Sequence, residues 1–359
     1  MHLNERGIMK VSEFMQRDNN NLNFIRLILA LLVIYYHAPV FINPNGHEDI
    51  FSKYLHFAGA GYVAVQTFFL ISGLLITNSL LKKSNPKAYL VSRIFRIMPG
   101  LVVVSLISGW IGFFLTDVSI MEYSSGVWEY TKNNFLLNVQ FKINFLDYYR
   151  DMPMYPHDVM FREVVNGSIW TIPFEFKMYL LVLSIWLLSV VTSRIIMPLC
   201  FAILLIVNLL GINVLGGEST EMMVPNFFLG AMLAYYKDNI ELSAYIPLGL
   251  MLCGIVMANN IILNKYFIIL GLSMLFAYIS STKLCRIIHL QHDISYGVYL
   301  WGWPVEMLLG YCIPSINFAA FIVISMMISI LIAYVQCRIV EEPCLKIATK
   351  INNSKYIRI

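Results

Sequence analysis

About ten times along this chain the sequence stays apolar for the length a helix needs to cross a bilayer, roughly 17 to 25 residues at about 1.5 Å each. The windows are 24–42, 57–81, 98–116, 171–192, 195–215, 222–236, 244–262, 265–281, 294–312 and 316–338. A chain with so many must satisfy its backbone polar groups internally, and helices do this within one segment. Composition points the same way: 58% hydrophobic against 13% charged residues, with a mean hydropathy of +0.69, excludes a soluble globular domain and a disordered chain. Six cysteines without paired spacing exclude a disulfide-framed secreted module. The expected fold is an all-α polytopic membrane protein of about ten transmembrane helices.

The sixth window is short, and the seventh and eighth are closely joined through Asn259, Asn260 and Asn264, so nine or eleven spans also fit the hydropathy. Charge decides between them. With ten spans and a cytoplasmic N-terminus, the inner segments hold eighteen basic residues and the outer loops six (Lys53, Lys132, Lys142, Arg150, Arg162 and Lys265), with Lys177 near the outer end of span four. Such a bias is the positive-inside pattern with both termini inside. The implied organisation is a cytoplasmic segment 1–23, one transmembrane domain 24–338 and a cytoplasmic tail 339–359. One long outer loop, about 117–168, carries seven acidic residues and several aromatics and is expected to be folded; it has only four basic residues, so no nucleic-acid partner is expected. Residues 1–23 lack the pattern of a removable signal peptide. No internal repeat is visible, which weakens a transporter built on paired halves. His289 and His292 sit in an inner loop, and no metal site is expected.

Ionisable side chains inside a bilayer are costly and mark functional candidates. Arg26, His37, Glu175 and Glu306 are four such residues. Arg26 and His37 are eleven residues apart, so on one helix they differ by about 20° in direction and are about 16.5 Å apart along the axis. This suits a two-ended ligand, with an anion at Arg26 and a reacting centre at His37, since histidine readily takes and returns a proton near neutral pH. A topology-setting charge at Arg26 and a hydrogen-bonded bundle histidine at His37 are the plainer alternatives. Arg93 and Arg96, at i and i+3, share a helical face at the inner membrane edge, where forked guanidiniums can bind a cytosolic phosphate donor or anionic lipid. Asn166-Gly-Ser168-Ile-Trp170 leads through Pro173 to Glu175, combining a flat ring with hydrogen-bonding groups as a sugar site does. Ser295-Tyr296-Gly-Val-Tyr299-Leu-Trp-Gly-Trp-Pro304, followed by Glu306, supplies tyrosines that fit either a substrate site or core packing.

These blocks, in this order, resemble the membrane-bound acyltransferase family 3, bacterial inner-membrane O-acyltransferases of surface polysaccharides such as O-antigen. The resemblance covers nearly the whole chain: Arg26 with His37, Phe68-Phe-Leu-Ile-Ser72-Gly73, Arg93-x-x-Arg96 with Pro99, Asn166 through Glu175, Phe227-Phe-Leu-Gly230, Ser295 through Pro304, and Glu342-Pro343. It implies transfer of an acyl group, by default acetyl from cytosolic acetyl-CoA, to a hydroxyl of a surface glycan or its lipid-linked oligosaccharide precursor. By that resemblance Arg26 and His37 form the family's first-helix motif; the expected mechanism makes His37 catalytic, with Glu175 orienting His37 or the sugar. Arg26, Arg93 and Arg96 bind acetyl-CoA, while Asn166, Ser168, Trp170, Tyr296, Tyr299 and Glu306 line the acceptor site. The family often has Asp where this chain has Asn23, and many members have His where it has Gly302; the second departure concentrates the proton chemistry on His37. Some members carry an extra hydrolase-like domain. None is expected here, so the chain acts alone or hands its acyl group to a separate extracytoplasmic partner. The rival reading from another class is a transporter or flippase for a glycan or lipid intermediate.

Overall fold

The computed structural model describes residues 8–42, 49–143, 146, 163–191, 195–212, 220–288 and 290–353. Its helices are α1 (Val11–Phe14), α2 (Leu22–Ile42), α3 (Ile50–Leu55), α4 (Ala60–Lys83), α5 (Pro86–Ile111), α6 (Ile120–Phe135), α7 (Ile172–Val191), α8 (Ile196–Leu209), α9 (Met223–Tyr235), α10 (Tyr245–Val256), α11 (Ile261–Ile279), α12 (Lys283–Ile287), α13 (Ser295–Cys312), α14 (Phe318–Gln336) and α15 (Glu342–Asn353). Two-residue strands, β1 (Met9–Lys10) and β2 (Glu241–Leu242), pair antiparallel. Every apolar window contains a helix. Six helical stretches are long and apolar enough to cross a membrane: Leu22–Ile42, Ala60–Lys83, Pro86–Leu115, Ser168–Val191, Ile261–Ile279 and Phe318–Asn353. The protein is therefore an all-α, multi-pass membrane protein. The other four windows fall short for two reasons. Helices α8, α9 and α10 have 14, 13 and 12 residues, about 18 to 21 Å against a hydrocarbon core of about 30 Å. Helix α13 has 18, but Glu306, Pro304 and its aromatics dilute its apolar character.

Three boundaries differ from the hydropathy windows. Helix α5 starts twelve residues before its window, because Asn85 Oδ1 accepts from Ala88 N at 3.0 Å and Pro86 fits the first helical position. Arg93 and Arg96 consequently lie inside this helix, on the shared face their spacing implies. The outer loop contains α6, begun by Ser119, which accepts from Glu122 N at 3.3 Å, an S-x-x-E start. Beyond α14 the helix widens into a π-turn at Cys337–Glu341 and continues as α15. Pro343 lacks the N–H that would bond residue 339, which explains the local loosening of the ladder. Of the loop's acidic residues, Asp147, Asp151 and Asp158 lie outside the described residues, as does His289.

The chain divides into two compact units. The first takes in Met1–Leu29, Leu55–Tyr89 and Glu175–His292. Its central helix is α4, whose apolar window is 72% buried. A Cβ on Gly73 would lie 1.9 Å from the Phe227 carbonyl oxygen, and one on Gly230 would lie 2.0 Å from that of Leu70. Only glycines let α4 and α9 approach this closely. Asn21 Nδ2 donates to the Cys285 carbonyl at 2.9 Å, tying the start of α2 to α12. The second unit takes in Ala30–Tyr54, Leu90–Phe174 and Asp293–Ile359. Its central helix, α13, is buried along almost its whole length. One apolar cluster there joins Ala38 and Phe41 of α2, Tyr123 and Tyr130 of α6, and Trp303 and Met307 of α13.

Candidate functional site

Arg26 and His37 lie on one continuous helix, α2, as their spacing requires. Arg26 is half-buried and belongs to the first unit; His37 belongs to the second. The His37 ring is half-buried, and its Nδ1 is sealed from solvent without a hydrogen-bond partner among the described residues. Trp303 meets it edge-on, with ring centres 5.0 Å apart and planes at 76°, and meets Phe41 in the same way at 5.0 Å.

Trp303 is itself held from the other side. Its Nε1 donates to the Val164 carbonyl at 3.2 Å, and its ring lies against Gly167 so closely that a Cβ there would come within 2.6 Å. Asn166 fixes this approach: its Nδ2 donates to the Leu300 carbonyl at 2.9 Å and its Oδ1 accepts from Ser168 N at 2.9 Å. Thr171 and Tyr299 share a hydroxyl bond at 2.8 Å. The Asn166–Thr171 segment is thus stitched to α13, and the Trp303 ring bridges that segment and the histidine. Ser168 Oγ is buried there without a partner among the described residues. Glu306, one turn beyond Trp303, is fully buried, and neither carboxylate oxygen has a partner among the described residues.

The two arginines of α5 differ. Arg96 donates to Asp293 at 2.6 Å and to Glu341 at 3.3 Å. Glu341 also accepts from Gln336 Nε2 at 2.9 Å, and Gln336 Oε1 accepts from Trp301 Nε1 at 2.8 Å. Tyr296 packs under the Arg96 guanidinium and donates its hydroxyl to the Ile97 carbonyl at 2.9 Å. Arg96 is therefore engaged by two carboxylates of its own chain. Arg93 is half-buried, and its buried Nε has no partner among the described residues.

The remaining predicted residues lie elsewhere. Trp170 is half-buried and packs edge-on to Phe174, ring centres 6.0 Å apart. Glu175, in the first unit, accepts from Ser72 Oγ at 3.2 Å and from the Tyr179 hydroxyl. Tyr296 and Tyr299 are buried and use their hydroxyls on internal partners. Among the described residues no cluster of three metal-ligating side chains occurs. Sequence reasoning missed Asp293, Gln336, Glu341 and the contact of Trp303 with His37. Asp293 had a local signal: Asp-x-Ser before an apolar run is a helix start, and its Oδ1 accepts from Ser295 N at 3.3 Å. Glu341 and Gln336 had none, because their partners lie in distant segments.

An acyltransferase 3 model, described as an acyltransferase domain, matches residues 19–337. The chain belongs to the acyltransferase 3 family. As a family member it is an enzyme that makes and breaks acyl bonds, which removes the transporter reading. An O-acetyl transferase of Shigella phage Sf6 is 24% identical over 329 residues, covering 81% of this chain and 86% of that protein. No solved structure matches. The family match begins just ahead of α2 and ends at Cys337, so it contains His37, both arginines of α5, the Asn166 segment and α13.

Proposed function

We propose that this acyltransferase moves acetyl from cytosolic acetyl-CoA to a hydroxyl of a surface polysaccharide or its lipid-linked precursor. The reading places it in a bacterial inner membrane, with both termini cytoplasmic and the four shorter helices completing ten passes. The observation that carries the chemistry is His37: an accessible imidazole with a sealed Nδ1, set against an indole that is itself fixed to the Asn166 segment. An imidazole so oriented can take the proton of an attacking hydroxyl. The O-acetyl transferase relative supports acetyl as the transferred group. For the donor phosphates the residues favour Arg93, whose buried Nε has no partner among the described residues, over Arg96, which two carboxylates already neutralise. Arg26 is the further candidate cation on the first helix. The acceptor contacts are assigned to Ser168, whose Oγ has no partner among the described residues, and to Trp170, which is half-buried; Asn166 holds their segment in place.

The deciding experiment compares surface glycan from cells lacking the chain with glycan from cells complemented by wild type or His37→Ala, using mass spectrometry and NMR. Acetyl esters should vanish on deletion and return only with wild type, and the spectrum then names the acceptor hydroxyl. Normal esters in the His37→Ala strain would overturn the assignment, provided membrane levels of the two proteins match.

A further inference from the structure

We infer that Glu306 is the positioning carboxylate of His37, a role that rests on the acetyl-transfer reading above. At about 100° per residue, Gly302, Glu306, Gly310 and Trp303 fall at about 0°, 40°, 80° and 100° around α13. The three neighbours of Glu306 on this arc all touch α2. A Cβ on Gly302 would meet the Ile34 side chain at 2.8 Å, and one on Gly310 would meet Phe41 at 3.5 Å. The Trp303 ring contacts both His37 and Phe41. Glu306 therefore stands in the middle of the face that α13 turns to α2. The order of contacts, 302 with 34, 303 with 37 and 310 with 41, makes the two helices run in the same direction and sets Glu306 level with His37–Phe41.

Two orphaned groups share this seam. Both oxygens of Glu306 and Nδ1 of His37 are buried without partners among the described residues. A buried carboxylate demands a donor, and a buried ring nitrogen demands an acceptor or a donor, so each is the group the other lacks. They are not hydrogen-bonded in this structure; the contact closes when substrate binds, as catalytic hydrogen bonds commonly do. Glu175 does not compete for the role, since its Oε1 already accepts from Ser72 and Tyr179.

The consequence is a defined tautomer. With Nδ1–H held by the Glu306 carboxylate, Nε2 carries the lone pair. Nε2 takes the proton of the acceptor hydroxyl as that oxygen bonds to the thioester carbonyl carbon. The carbon–sulfur bond then breaks, and the departing thiolate takes the proton from Nε2. One ester and one thiol result, and both side chains return to their starting states. Besides Glu306, the titratable groups around His37 are Tyr36 beside it on α2, Asp49 acting on Tyr36, and Tyr123 and Tyr130 of α6. Burial pushes the phenols of Tyr123 and Tyr130 above their ordinary range. Tyr123 and Tyr130 stay neutral across an assay from pH 5 to 9, and Tyr36 and Asp49 are unaltered in every variant.

The test uses purified full-length protein in detergent with radiolabelled acetyl-CoA and de-acetylated acceptor glycan. Glu306→Gln keeps the shape and removes the charge. It should lower kcat on the order of 10²-fold or more, leave the donor KM within about threefold, and move the acid limb of the kcat profile to lower pH, because the anion favouring imidazolium is gone. Glu306→Asp should recover part of the rate. Wild-type kcat with an unmoved acid limb in Glu306→Gln would overturn the inference; so would a loss of rate matched by a fall in thermal stability with the acid limb unmoved. His37→Ala separates the two readings. Activity retained there removes the histidine mechanism itself, whereas an inactive His37→Ala beside a normal Glu306→Gln removes only Glu306.

Discussion

Arg93 and Arg96 show how far a motif carries at the scale of the residue. Their i, i+3 spacing was readable as one helical face, and they do share α5. Their different fates were not readable, because Asp293 and Glu341, which claim Arg96, lie about 200 and 245 residues away in sequence. Different variants should therefore fail in different ways. Removing Arg96 leaves Glu341, 1% exposed, and Asp293 without their cation. Arg96→Ala should destabilise by about 3 kcal/mol, read as a lower unfolding temperature in detergent, whether or not donor is present. Arg93→Ala removes no ion pair seen among the described residues and should leave that temperature unchanged while raising the acetyl-CoA KM several-fold. An Arg93→Ala protein with unchanged donor dependence would take it out of the donor site. The acceptor candidates divide likewise. Asn166 and the tyrosines read as sugar contacts in the sequence, yet their polar atoms serve the backbone and one another, and only burial and partner geometry reveal that.

At the scale of the element, the helices inside the apolar windows were legible because hydropathy is a property of contiguous residues. Their ends were less so. The start of α5 depended on a cap and a proline ahead of the apolar run, and the π-turn before α15 depended on Pro343 beyond the expected end. The Ser72-Gly73 and Phe227-Phe-Leu-Gly230 blocks were visible only as resemblance; the structure supplies their physical reason, two glycines pressed against each other's helix backbone. Gly73→Ala or Gly230→Ala must push α4 and α9 apart, because the obstructing atom in each case is a carbonyl oxygen and not a movable side chain. Each should cost about 3 kcal/mol, at the upper end for overpacking. Gly249, in α10, has nothing within 4 Å of an added Cβ. Gly249→Ala should be neutral or stabilise by about 0.5 to 1 kcal/mol through helix propensity. Thermal unfolding of the three variants in one detergent checks both signs; equal behaviour would refute the packing argument. The α13 seam behaves differently again. Among the described residues Gly302→Ala meets the Ile34 side chain, nearest at Cγ1, which can turn aside where a backbone carbonyl cannot, so it should cost less than either α4–α9 variant.

For the whole molecule, the charge count and the helix lengths bear on one question, which side of the membrane each end of a helix faces. Counting basic residues needed no structure, because the rule acts on loops as they are inserted. Length supports the count most directly at the C-terminal end, where Phe318–Asn353 runs 36 residues. Cys344 lies 26 residues beyond Phe318, about 39 Å along a helix, more than the roughly 30 Å of hydrocarbon. Cys312, at the end of α13, is exposed, and Cys344 is half-buried. On the proposed topology, with both termini cytoplasmic, the two thiols would face opposite compartments. Single-cysteine versions, active in glycan acetylation, should therefore divide under a membrane-impermeant maleimide: Cys312 should label in intact spheroplasts, and Cys344 only in inverted vesicles or after detergent. Labelling of both from one side would mean that α14 does not cross. Labelling with the sides exchanged would invert the molecule and carry Arg93 and Arg96 to the outer face, where no cytosolic thioester could meet them. The acceptor could then be reached only with a donor made outside the cytosol, so the same two thiols test the source of the acyl group as well as the orientation of the chain.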